Sequence, residues 1–113
     1  MKQKKHAYYA EVKQIIDGDT IKFEIDLGFY IKQTIKGRLA KINSPEGKST
    51  PASDYIKSKI LPGQIVWVET EKTQEKYGRW LVTVYKLDEE GNSILPSINE
   101  SLLELGLAEK WIP

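Results

Sequence analysis

With no cysteine and one histidine in 113 residues, any hydrolytic or metal chemistry in this chain has to be built from oxygen ligands and cations. Asp17-Gly18-Asp19-Thr20 has the composition of a hairpin turn. The same residues admit a second reading, in which Asp19, just inside the next strand, offers a hard carboxylate to Ca²⁺ or Mg²⁺ and Asp17 shapes the turn or stands behind the ligand. Asn43-Ser44-Pro45-Glu46 reads by composition as a proline turn. Following the strand that carries Arg38, it can also bring an amide oxygen, a backbone carbonyl and a carboxylate to one metal ion or to a water beside it. Lys76-Tyr77-Gly78-Arg79 is either a solvated loop or a phosphate grip, since a guanidinium holds two phosphoryl oxygens at once, Lys adds a point charge and Tyr a hydroxyl and a stacking face. Arg38 by itself is an ordinary ion-pair partner. Taken together, Arg38, Arg79, these oxygen donors and Glu46 are the components of phosphodiester cleavage without histidine or cysteine.

The elements that must position these residues are legible from periodicity. Tyr8 to Ile16 is rich in β-formers, and after the Asp17-Gly18-Asp19 turn Ile21, Phe23, Ile25 and Leu27 alternate with Lys22, Glu24 and Asp26, the pattern of a half-buried strand. From Phe29 to Ile42, Ile31, Gln33, Ile35 and Leu39 share one parity and Arg38 takes the other, which predicts Leu39 in the core and Arg38 on an open surface. Ser49-Thr50-Pro51-Ala52-Ser53-Asp54 is a helix start, with hydroxyl caps, Pro in the first turn and Asp near the positive end of the dipole. Ala52, Tyr55, Ile56 and Ile60 follow at helical spacing, and Leu61-Pro62-Gly63 stops the helix. Ile65-Val66-Trp67-Val68 predicts a short buried strand, Trp80 to Leu87 another, and Ile94-Leu95 a brief return after the polar turn at 88–92. Ser97-Ile98-Asn99-Glu100 predicts a capping box for a short helix with Leu102, Leu103 and Leu105, closed by Gly106.

Three strands, a helix, two strands and a helix give a mainly β (α+β) chain, and this order predicts a five-stranded Greek-key barrel of the OB class with about two short helices. A composition of 40% apolar, 10% aromatic and 29% charged residues suits one soluble domain over 1–113, with a basic tip at 1–6. No apolar run approaches the roughly 18 residues that would cross a bilayer. A net charge of +1 leaves any polyanion site dependent on locally gathered cations.

The set Ile16-Asp17-Gly18-Asp19-Thr20-Ile21, Gly37-Arg38-Leu39 with Ser44-Pro45-Glu46, Lys76-Tyr77-Gly78-Arg79, and Asn99-Glu100 through Leu105-Gly106-Leu107-Ala108 closely resembles the staphylococcal nuclease (thermonuclease) family, in the same order and from about Val12 to Ala108. The resemblance implies a Ca²⁺-dependent endonuclease, a monomer acting on DNA and RNA, preferring single-stranded or frayed substrate and leaving 3′-phosphate ends. It implies Asp19, Asn43 and the Ser44 carbonyl as metal ligands and Glu46 as the residue that positions or deprotonates water. Arg38 and Arg79 become the phosphate clamps, and Lys76 with Tyr77 the contact to the neighbouring phosphate.

The chain departs from the family where Asn43 stands in place of a second metal-binding Asp, which removes a charge and predicts weaker Ca²⁺ binding or another divalent ion. The Glu46–Lys76 connection is shorter, and the family's late tyrosines have no clear match, Trp111 being either a substitute stacking surface or a hydrophobic plug. Asn43 and the near-neutral net charge support the alternative of a weakened module that binds single-stranded nucleic acid or a partner, whereas Arg38, Glu46 and Arg79 favour the enzyme. The absence of a signal peptide in the sequence points to the cytoplasm if the chain is complete, and to secretion if an export segment has been removed.

Overall fold

Alternating burial drives the first two strands. The computed structural model describes residues 6–45, 47 and 49–111. In β1 (His6–Asp17) Ala10, Val12 and Ile15 turn inward, and in β2 (Thr20–Asp26) Ile21, Phe23 and Ile25 do so while Lys22 and Glu24 face out. The β1–β2 register shifts between Val12 and Gln14 and again between Ile15 and Asp17, irregularities that bend β1 around the core. The basic tip expected at 1–6 lies outside the described residues except for His6, which already pairs with Thr70.

β3 (Lys32–Leu39) follows β2 antiparallel, and β5 (Ile65–Gln74) and β6 (Trp80–Tyr85) form the second hairpin. The sheet closes as β1-β2-β3-β6-β5, by antiparallel β1–β5 pairing on one side and a parallel β3–β6 seam on the other. This is the five-stranded OB-like barrel with two helices that the element order predicts. Gly37 sits where β3 passes over the core: a Cβ there would lie 2.8 Å from the Phe23 ring and 2.9 Å from Val82, so no side chain fits.

The first helix is α1 (Pro51–Lys59), built as its sequence signals predict. Thr50 Oγ1 accepts from Ser53 N while Ser53 Oγ accepts from Thr50 N, and Pro51 opens the helix. Ala52, Ile56 and the capping Ile60 close the core beneath it. α2 (Ile98–Glu104) carries half of the expected box, with Ser97 Oγ accepting from Glu100 N at 3.1 Å; Leu102 is buried, whereas Leu105 caps the end in solvent. No helix among the described residues is long and apolar enough to cross a membrane.

Three expectations need correction. The run at 65–68 belongs to a ten-residue strand with only one face on the core, so Val66 and Val68 are buried while Ile65 is exposed and Trp67 half-buried. Ile31 and Gln33 are exposed despite sharing the parity of Leu39, because the start of β3 runs past the end of the core. Ile94 and Leu95 form no strand and are exposed; the return there is one isolated bridge, Leu87 to Ser93. The structure also adds a small sheet, β4 (Ile42–Asn43) with β7 (Glu109–Lys110), which brings the C-terminal segment back beside β3.

Asn99 ties α2 to this frame. Buried on the inner side of α2, its Oδ1 accepts from Val84 N (3.1 Å) and its Nδ2 donates to Ala40 O (3.1 Å) and Val82 O (3.0 Å). Val82 O also accepts from Ala40 N, so removal of the amide strands chiefly the Val84 N–H and the Ala40 carbonyl. Asn99→Leu is expected to destabilise the fold by roughly 2–6 kcal/mol, at about 1–3 for each of the two stranded groups, and urea unfolding of the two proteins measures it.

Candidate active site

The turn between β1 and β2 supplies Asp17 and Asp19, β3 supplies Arg38, β4 and its exit supply Asn43 and Ser44, and the β5–β6 hairpin supplies Lys76, Tyr77 and Arg79. All of them line one cleft of about 680 Å³. Gly18 allows this turn to press on its neighbours, since a Cβ there would come 2.5 Å from Ser44 Oγ and 2.8 Å from Ala52 Cβ. Asp17 Oδ1 accepts from Asp19 N at 3.1 Å and fixes the turn's shape.

Asp19 is the hub. Its Oδ2 lies 3.8 Å from Arg38 Nη2 and its Oδ1 3.9 Å from Arg79 Nη1, while Thr20 Oγ1 donates to Oδ1 at 3.0 Å. Burial, followed by the neighbouring Asp17 carboxyl, pushes the Asp19 carboxyl above its ordinary pKa, and the Thr20 hydroxyl and Arg38 offset only part of this. Arg38, at nearly 4 Å, therefore does not fully compensate for the burial of a carboxylate that has a second one beside it.

Arg38 corrects the expectation of an open surface, for it is only 6% exposed. Strand parity gives its direction rightly, opposite to Leu39, but Trp111 covers it, with the guanidinium carbon 4.7 Å from the ring centroid. The β4–β7 pairing and a bond from Trp111 N to Lys41 O (3.0 Å) put the indole there. Arg38 Nη2 also donates to Asn43 Oδ1 and Nη1 to its neighbour's carbonyl, Leu39 O, both at 3.4 Å.

Arg79 is held more tightly. Its Nε and Nη2 donate to the two oxygens of Glu75 at 3.0 and 3.1 Å, and Glu75 Oε1 further accepts the backbone N–H groups of Tyr77 and Arg79. The Arg79 guanidinium is the main reason the Glu75 carboxyl falls to about 2. Nη1 donates to Thr20 Oγ1 at 2.9 Å, a bond that bridges the hairpin to β2. Tyr77 stands largely in solvent between the Lys76 ammonium (5.0 Å from its ring) and Arg79 (5.6 Å).

Every sequence-derived site residue but one thus borders the same cleft; Glu46 lies outside the described residues. No protein-family model matches the chain, and no curated protein matches it. Sequence reading missed Glu75 and Thr20. Thr20 was within reach, because pairing β2 with β3 sets it opposite Arg38. Glu75 also carried a signal, an acid four residues before Arg79 across a glycine turn.

Whether these residues suit an oxygen-seeking divalent cation can be judged from the donors. Asp19 and Asp17 present two facing carboxylates, Asn43 an amide oxygen, and Ser44 a buried hydroxyl without a hydrogen-bond partner among the described residues. Among those residues no three His, Cys, Asp or Glu side chains gather. The donor set is therefore hard, oxygen-only and lightly charged, which fits Ca²⁺ or Mg²⁺.

Proposed function

We propose that this chain is a Ca²⁺-dependent endonuclease of the staphylococcal nuclease type, hydrolysing DNA and RNA phosphodiester bonds to leave 3′-phosphate ends. The observation that carries the reading is the convergence of Arg38, from β3, and Arg79, from the turn between β5 and β6, on the buried carboxylate of Asp19. An anionic phosphoryl group placed between the two guanidiniums replaces a carboxylate as their partner, and the charge it gains in the transition state falls where their N–H groups point. Asp19, with Asn43 and Ser44, would hold the cation, and Asp17 would support the turn. When bound, Ca²⁺ supplies a Lewis acid and a template for the attacking and leaving oxygens. Glu46 aligns the water and takes its proton, while Lys76 and Tyr77 hold the next phosphate along the strand. Water adds at phosphorus, giving its proton to Glu46, and the P–O5′ bond breaks; the departing 5′-oxygen takes up a proton from solvent, and the phosphate stays on the 3′ side.

The test is hydrolysis of single-stranded and duplex DNA by the purified protein across a Ca²⁺ series to millimolar levels, with EDTA and Mg²⁺ controls. Ca²⁺-dependent cleavage that leaves 3′-phosphates is expected. A folded protein that binds single strands and cleaves nothing would leave the second reading, a weakened binding module. Asn43 favours that reading, being a neutral ligand already engaged by Arg38. Asn43→Asp restores a negative charge and is expected to tighten Ca²⁺ by about an order of magnitude in calorimetry; unchanged affinity would take position 43 out of the ligand set.

A further inference from the structure

The β2–β3 hairpin ends in a corner that its own sequence does not favour. Ile31 N donates to Gly28 O at 2.9 Å, and the two residues between, Phe29 and Tyr30, both have left-handed backbone, with φ of 54° and 61°. A corner of this kind is normally filled by Asn-Gly, because side chains with a bulky Cβ substituent are strained at positive φ. Here two aromatic residues occupy it, and both are essentially fully exposed, at 95% and 103%. Neither turn chemistry nor core burial accounts for them, and a local conflict of this type marks a surface selected for contact.

The ribbon leading to that corner is charged in an ordered way. On its outer face the register pairs Thr20 with Arg38, Lys22 with Lys36, Glu24 with Thr34 and Asp26 with Lys32. Lys22 and Lys36 stand directly opposite each other, an arrangement that costs stability in a sheet, and neither has an ion pair among the described residues. Of the two acids between them and the tip, Glu24 is engaged by Lys13 at 4.0 Å and Lys32 at 3.9 Å, and Asp26 accepts from Gly28 N at 2.9 Å in the turn itself. From Arg38 to Lys32 the ribbon runs roughly 20 Å at about 3.3 Å per residue.

We infer that this outer face is a single-stranded nucleic-acid track, leading from the arginine cleft past Lys22 and Lys36 to a base-stacking corner at Phe29 and Tyr30. The inference rests on the cleft being a nucleic-acid site. Phosphates relieve the repulsion between the opposed lysines, and flat exposed rings accept bases of any identity, the combination by which OB barrels engage on the order of 4–16 nucleotides. The lysines are spaced along the ribbon toward the arginines rather than ringed around the tip, which favours a linear polyanion over an anionic membrane surface. The consequence is a substrate preference for unpaired strands long enough to reach the corner.

The test is fluorescence anisotropy with end-labelled oligothymidylates of about 4, 8 and 16 nucleotides, in EDTA and again with Ca²⁺ in a Glu46→Gln background that prevents cleavage, on the otherwise wild-type protein, the Phe29→Asn/Tyr30→Gly double variant and Lys22→Ala/Lys36→Ala. The first variant installs the pair the corner prefers, so its melting temperature should be unchanged or higher. Wild-type affinity should rise with length; the corner variant should lose about tenfold or more on the longest strand, and the lysine variant should lower the salt slope by about 1.4. A wild type indifferent to length, or a corner variant that binds the longest strand as well as the wild type, overturns the track and leaves the cleft reading standing. No binding at any length, with or without Ca²⁺, overturns both. Wild-type binding to phosphatidylserine vesicles that the corner variant loses, with oligonucleotide affinity unaltered, overturns the track in favour of a membrane contact.

Discussion

Arg38→Lys is expected to lower the turnover number roughly 10²–10³-fold, the size of effect seen when one transition-state donor is removed from an enclosed site, with a much smaller change in Michaelis constant. The charge is kept, so any loss reports geometry. Arg38 addresses Asp19 and Asn43 from a single nitrogen and holds its guanidinium carbon 4.7 Å from the Trp111 ring centroid, and a lysine ammonium has no planar fork to offer a phosphate from that position. Arg79→Lys should be comparably damaging for a different reason. Glu75 grips Arg79 through two nitrogens and leaves Nη1 directed at Thr20 and Asp19, so the fork both anchors the side chain and presents it. Turnover measured at saturating Ca²⁺ decides; a near-normal rate for Arg38→Lys would place that guanidinium outside the transition state.

Glu46→Gln should cost more, about 10²–10⁴ in turnover, the range for a positioned general base, while substrate binding stays within a few-fold of the wild type. The substitution keeps size and one hydrogen-bonding oxygen and removes only basicity and charge. Glu46 lies outside the described residues, two positions after Ser44 in the sequence, so its role rests on the proposed function and the variant tests it directly. Single-turnover cleavage separates the outcomes: slow chemistry with normal binding supports the role, and an unimpaired single-turnover rate removes it.

Much of the barrel was legible because its signals are local. Alternation in β2, the Thr50-Pro51 cap of α1 and the Ser97 cap of α2 each depend on residues within a few positions of one another. The polar residues of the cleft were legible for a related reason, since turns that fix a hairpin also name the residues they display. What escaped depends on residues far apart. Parity gives the direction of Arg38 but not the indole that covers it from 73 residues downstream, and the β4–β7 pair that brings Trp111 there has only two residues in each strand. The length of β5 likewise follows from its pairing with β6 and β1 rather than from its own apolar run.

The parallel seam between β3 and β6 joins only Gly37 to Trp80, Arg38 to Leu81 and Leu39 to Val82. Contacts of such wide sequence separation form at a high loop-closure cost, whereas the two hairpins on either side are local. Arg38 belongs to one hairpin and Arg79 to the other, so the pair of guanidiniums exists only once the seam has closed. A chain with its secondary structure formed but the barrel still open would look folded by circular dichroism and have no place for a phosphate between the arginines. On the proposed function, recovery of phosphate binding in renaturation should therefore time the closure of the β3–β6 seam, and the cleft would serve as a gauge of whether that joint is shut.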